Sequence, residues 1–114
     1  MADEAARYIG CAQDYMRNGE LELAADSFEL ALRLEGESMV ALCGLARAQL
    51  RTGQVDAARR TVARALVICE TDPEALRLQA EVHACCGRID LAIDKLHVAT
   101  EADLDRRRYR RGPG

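Results

Sequence analysis

Gly53-Gln54-Val55-Asp56-Ala57-Ala58-Arg59-Arg60-Thr61-Val62-Ala63-Arg64-Ala65-Leu66 reads as one helix entered through a glycine. Ala58, Val62, Ala65 and Leu66 stand at i, i+4, i+7 and i+8, a single helical face. The glycine marks a point where the chain needs φ > 0 or a close approach. The same frame recurs at steps of 34 residues. Gly19, Gly53 and Gly87 form one column, and Ala24, Ala58 and Ala92 a second. Ala31, Ala65 and Ala99 form a third, and Ala12, Ala46 and Ala80 a fourth. All twelve positions are Ala or Gly, although these two types make up only 28 of 114 residues. Larger apolar columns keep the same step: Leu21, Val55, Ile89; Phe28, Val62, Leu96; Tyr8, Leu42, Leu76.

Each glycine lies between two helical stretches, so each copy is a helical hairpin. The first helices are expected near 4–17, 38–51 and 73–86, the second near 20–34, 54–69 and 88–102. Ser38 and Asp72 suit N-caps, Pro73 suits the first helical position, and Gly36 suits a C-terminal stop. Small columns have a physical reason: two helices approach closely only where bulky side chains are missing. The expected fold class is all-α, a solenoid of three antiparallel helix-turn-helix repeats over 5–38, 39–72 and 73–105. An Arg-rich tail follows over 106–114.

Composition agrees and excludes several classes. One domain is the limit for 114 residues. Apolar residues are 49% and charged residues 31%, a globular balance. Twenty Ala and two Pro favour helix over strand. The longest run free of charged or strongly polar side chains is 39–46, far short of the roughly 18 residues of a membrane helix. Asp3 and Glu4 do not fit the basic-then-apolar plan of a leader. Five cysteines, an odd number, then point to reduced thiols in the cytoplasm. Charge is uneven: 1–105 carries 11 Lys+Arg and 19 Asp+Glu, while 106–111 adds five Arg. So acidic a body is a poor nucleic-acid surface.

These columns resemble the tetratricopeptide repeat. The first copy carries the resemblance best, through Tyr8, Ala12, Tyr15, Gly19, Ala24, Phe28 and Ala31. Later copies keep the small positions and replace aromatics with Leu42, Val62, Leu76 and Leu96. Gln49 and His83 stand where the family prefers Tyr, and Gly36, Glu70 and Leu104 where it closes with Pro. Pentatricopeptide repeats, which bind RNA, are similar in length, but the Gly and Ala columns and the acidic body fit them less well. The resemblance implies a right-handed solenoid whose first helices line a concave groove that takes a peptide. It implies no cofactor and no catalysis.

Carried onto this chain, the family's inward positions imply groove contacts at Ile9, Gln13, Arg17, Cys43, Arg47, Leu50, Arg51, Arg77 and Glu81. Gly10, Met16, Val40, Gly44, Glu74, Leu78 and Cys85 share that inner surface. Arg47 and Arg51, at i and i+4, are expected to point the same way. With Arg77 they would meet a carboxylate or phosphate, so the expected partner is a protein or peptide with acidic segments. Some relatives grip a chaperone's C-terminal carboxylate with a Lys/Asn/Arg clamp. Here the corresponding positions are Ile9, Gln13, Gly44, Glu74 and Leu78, none basic and none Asn.

Smaller constellations carry less. His83, Cys85 and Cys86 lie close in sequence but lack the second ligand pair of a structural zinc site. No nucleophile with an orienting group and no phosphate-binding glycine loop appears. Arg106, Arg107, Arg108, Arg110 and Arg111 surround Tyr109, which could stack on a base. The run reads as a soluble helix end, as a nuclear-import signal, or as a nucleic-acid arm. Repeat arrays normally end in a polar cap, and few residues follow Ile93, Leu96 and Leu104 to supply one. Two further readings therefore stand beside the adaptor: self-assembly through that end, and nucleic-acid association through the tail.

Overall fold

The structure is a computed structural model and describes residues 2–87. It holds two complete hairpins and the first helix of a third: α1 (Ala2–Arg17), α2 (Leu21–Leu34), α3 (Met39–Arg51), α4 (Val55–Ile68) and α5 (Pro73–Cys85). Among the described residues there is no strand. The second helix expected near 88–102, the end face at Ile93, Leu96 and Leu104, and the tail arginines Arg106, Arg107, Arg108, Arg110 and Arg111 lie outside the described residues.

The glycine column sets the hairpin turns. Gly19 and Gly53 adopt φ of 79° and 83°. The next residue reaches back five positions, Glu20 N–H donating to Tyr15 O at 2.9 Å and Gln54 N–H to Gln49 O at 2.8 Å. This is the Schellman closure, in which a left-handed residue satisfies carbonyls that the ending helix leaves open. Gly87 repeats the positive φ at 78°. The links between hairpins use side-chain caps. Ser38 Oγ accepts from Ala41 N–H at 3.3 Å, and Asp72 Oδ2 from Ala75 N–H at 2.9 Å with Pro73 opening the helix. Gly36 does not share the left-handed conformation. α2 ends at Leu34, and Glu35, in extended backbone, donates its N–H to Ala31 O, so Gly36 only continues the loop.

The alanine columns are where helices meet. Ala12, Ala24, Ala31, Ala46, Ala58, Ala65 and Ala80 are all buried. Phe28, Leu42 and Val82 are the largest fully buried side chains. Leu42 and Leu76 are buried as well, whereas Tyr8, in the same column but with no hairpin before it, is 36% exposed. Each helix packs on its neighbour in the chain, and α1 on α3 and α3 on α5. Among the described residues no Cα of α2 lies within 8 Å of a Cα of α4. The first helices thus form one layer in direct contact, while the second helices stand apart behind it. That arrangement curves the array with α1, α3 and α5 inside.

Candidate functional site

The inner layer carries an open groove of about 480 Å³. α1 supplies Gln13, Met16 and Arg17, and α3 supplies Met39, Val40, Cys43, Gly44 and Arg47. Asp72 and Glu74 enter from the start of α5, and Phe28 reaches in from α2. Residues 40, 43, 44 and 47 lie on one face of α3 because their spacing follows the helical repeat. Val40 is 56% exposed, an apolar side chain held open to solvent at the groove mouth.

Phe28 belongs to the second helix of its hairpin and gets there through a missing side chain. A Cβ on Gly44 would fall 2.3 Å from Phe28 Cζ and within 2.7 Å of both Cε atoms. The ring lies flush on the α3 backbone, forms part of the groove floor, and is itself 2% exposed.

The cations of the groove are already partnered. Arg47 forms an ion pair with Glu74, linking α3 to α5, and Arg17 with Asp14 one turn earlier on α1. With Asp72 and Glu74 against Arg17 and Arg47, the lining is balanced in charge. Both pairs are substantially exposed, so each contributes at most about 1 kcal/mol to stability.

Of the nine groove residues expected from sequence, Gln13, Arg17, Cys43 and Arg47 come together here. Ile9 and Leu50 are partly buried and pack against the core instead. Arg51, Arg77 and Glu81 are exposed but do not line the groove. Arg51, one turn beyond Arg47 on α3, thus lies outside the groove lining that holds Arg47. Leu78, expected on the inner surface, is core at 3% exposure. Phe28, Met39 and Asp72 were not among the expected contacts. Met39 and Asp72 sit at helix starts, where the inward pattern of a helix has not yet begun.

Cys43 is the one thiol in the groove. Burial pushes its pKa up to about 11, Asp72 adds to the rise, and Arg47 opposes it. A thiolate is the reactive form, so Cys43 is poorly poised as a nucleophile. The expected result is selective labelling: at pH 8 a maleimide modifies the exposed Cys11, Cys85 and Cys86, while Cys43 stays unmodified until denaturant is added. Mass mapping checks this. The shift also implies lost stability between pH 9 and 11, because the unfolded thiol gives up its proton before the folded one does.

Among the described residues no three His, Cys, Asp or Glu side chains cluster as a metal site. Cys85 and Cys86 are exposed and His83 is half-buried. No helix of the described residues is long and apolar enough to cross a membrane.

A family model described as tetratricopeptide repeat matches residues 15–82, more than half of the chain. No curated protein matches in sequence. Solved structures match in fold. The type III secretion chaperone SycD of Yersinia enterocolitica, in complex with a peptide of the translocator YopD, superposes with a TM-score of 0.80 at 22% identity, over 87% of this chain and 76% of that one. The first TPR of Spaghetti (RPAP3), bound to the HSP90 peptide SRMEEVD, gives 0.84 at 14% identity, over 89% and 80%. The first TPR domain of human RPAP3 gives the same values.

Proposed function

The chain belongs to the tetratricopeptide repeat family, and from that premise we propose that it is a non-catalytic adaptor holding a partner protein's peptide segment in the concave groove. The observation that carries this reading is an open groove with an apolar centre and balanced charge. Met16, Met39, Val40 and the Phe28 edge offer a seat for one or two apolar side chains. Methionines suit such a seat because their unbranched side chains adapt to different shapes. Gln13 and the two ion pairs around it can meet a peptide's polar groups. Two of the structural relatives hold peptides, one from YopD and one from HSP90, which supports the same use here.

The charge balance changes the expected partner. An acidic segment would have to compete with Glu74 for Arg47 and with Asp14 for Arg17. An amphipathic segment with an apolar anchor needs no such exchange, so it fits the groove better.

Val40→Glu tests the proposal. The position is exposed and lies in the first turn of α3, where a carboxylate favours the helix dipole, so the fold is retained. Peptides selected from a random library on the native protein are expected to carry an apolar anchor and to lose roughly tenfold or more in affinity for the variant. Equal affinity for both proteins, with helix content unchanged, would sink the groove reading.

A further inference from the structure

Behind α3, facing away from the groove, the gap between α2 and α4 forms a second cleft of about 500 Å³. Leu32 and Leu45 contribute apolar surface to it. Arg33 of α2 and Arg60 and Arg64 of α4 surround it, with Glu29 the single carboxylate. None of these three arginines forms an ion pair among the described residues, in contrast to Arg17, Arg47 and Arg59. Arg60 and Arg64 stand at i and i+4, so their like charges oppose one another on an otherwise acidic molecule.

A second observation lies in the cleft wall. Gln49, 6% exposed, faces it. One end of its amide is engaged with Thr61 Oγ1 at 2.7 Å. The other end has no hydrogen-bond partner among the described residues. That end is not shut off from solvent, so it can take a further hydrogen bond at the cleft. Three uncompensated guanidinium groups and a half-used amide over an apolar floor describe a site short of an anion and a backbone.

We infer that this outer cleft is a second docking site, for an acidic peptide segment of a partner protein. Carboxylates would bridge the α2 and α4 arginines, whose planar guanidinium groups bind them two bonds at a time. The Gln49 amide would take a peptide N–H or C=O. A nucleic acid fits less well. Its charge runs on past the cleft, over a surface where residues 2–87 carry 9 Arg against 14 Asp+Glu. A short acidic segment feels chiefly the charges within about 8 Å, the screening length at physiological salt.

The probe is a ten-residue Glu-rich peptide with one central Leu, acetylated and amidated so that its ends carry no charge. The full chain, labelled with nitrogen-15, is titrated with it and followed by NMR. Expected shifts fall on the Arg33, Arg60 and Arg64 Nε–H groups and on the Gln49 side-chain amide. Affinity is expected to fall roughly tenfold in Arg33→Gln, more in Arg60→Gln/Arg64→Gln, and to be unchanged in Val40→Glu. The two Gln variants lie on different helices, so misfolding of one does not leave the question open. Shifts confined to the concave groove, or affinity unchanged in both variants, would overturn the proposal. So would tighter binding of a ten-nucleotide DNA strand at the same residues, which would make the cleft a nucleic-acid site. Because the groove variant is read in the same series, failure here is distinct from failure of the groove reading.

Discussion

Phe28→Ala is expected to lower the free energy of unfolding by about 3–5 kcal/mol. The side chain is one of the three largest fully buried and joins α2 to α3 across the hairpin boundary. Its ring fills the space above Gly44, and an alanine leaves that space with no neighbour to collapse into it. A domain of this length has only about 5–15 kcal/mol in total, so the loss consumes a large share. Repeat proteins have a further weakness here: each hairpin contacts only its neighbours, so a broken junction is not compensated elsewhere. Urea unfolding followed by far-ultraviolet circular dichroism measures the change. A loss below 1 kcal/mol would mean that Phe28 is not the bolt between the first two hairpins. The groove floor goes with it, so peptide binding is expected to weaken even where the variant remains folded.

Gly44→Ala is the complementary experiment, and two effects of opposite sign compete in it. Glycine inside a helix is about 1 kcal/mol less favourable than alanine, so propensity alone predicts a gain. Against this, the new methyl carbon would lie 2.3 Å from Phe28 Cζ. Rotation about the second side-chain torsion cannot relieve that clash, because Cζ sits on the rotation axis. Either Phe28 swings out of the core or α2 and α3 separate. Overpacking of this kind costs typically about 1–3 kcal/mol, and displacing the aromatic costs more. A net loss of about 2 kcal/mol is therefore expected, a fall of roughly 8 °C in Tm for a chain of this size. The double variant Phe28→Leu/Gly44→Ala should regain part of the loss, since the shorter side chain clears the methyl. A stabilised Gly44→Ala would show that propensity outweighs the contact. Additivity in the double variant would show that the two residues are not coupled.

Much of this architecture was legible in the residues. The glycine column announced three turns, and the positive φ at Gly19, Gly53 and Gly87 is the conformation for which glycine is suited. Ser38 and Asp72 announced two helix starts, because a short polar side chain before an apolar-periodic run has few other uses. The alanine columns announced the helix crossings. The groove was legible only in part. Gln13, Arg17, Cys43 and Arg47 follow from the inward positions that the repeat resemblance implies, but Phe28 does not, because its place depends on an absent Cβ on another helix. Gln49 looked like a substitute for a family tyrosine, and its bond to Thr61, twelve residues on, required the packing of α3 against α4.

The arginines show the division most plainly. Period, turn and cap are local properties, encoded in residues within a few positions of one another, and a single chain of letters contains them. Whether a charge is free is not local. Arg47 is partnered by Glu74, 27 residues later, because α3 and α5 lie side by side. Arg33 joins Arg60 and Arg64 around one cleft because α2 and α4 both lean on α3 while their backbones stay apart. The repeat resemblance implied positive charge on the inner surface. Arg17–Asp14 and Arg59–Asp56, at i and i+3, are local pairs, but packing neutralises Arg47 through another helix and leaves Arg33, Arg60 and Arg64 on the outer surface without an ion pair among the described residues.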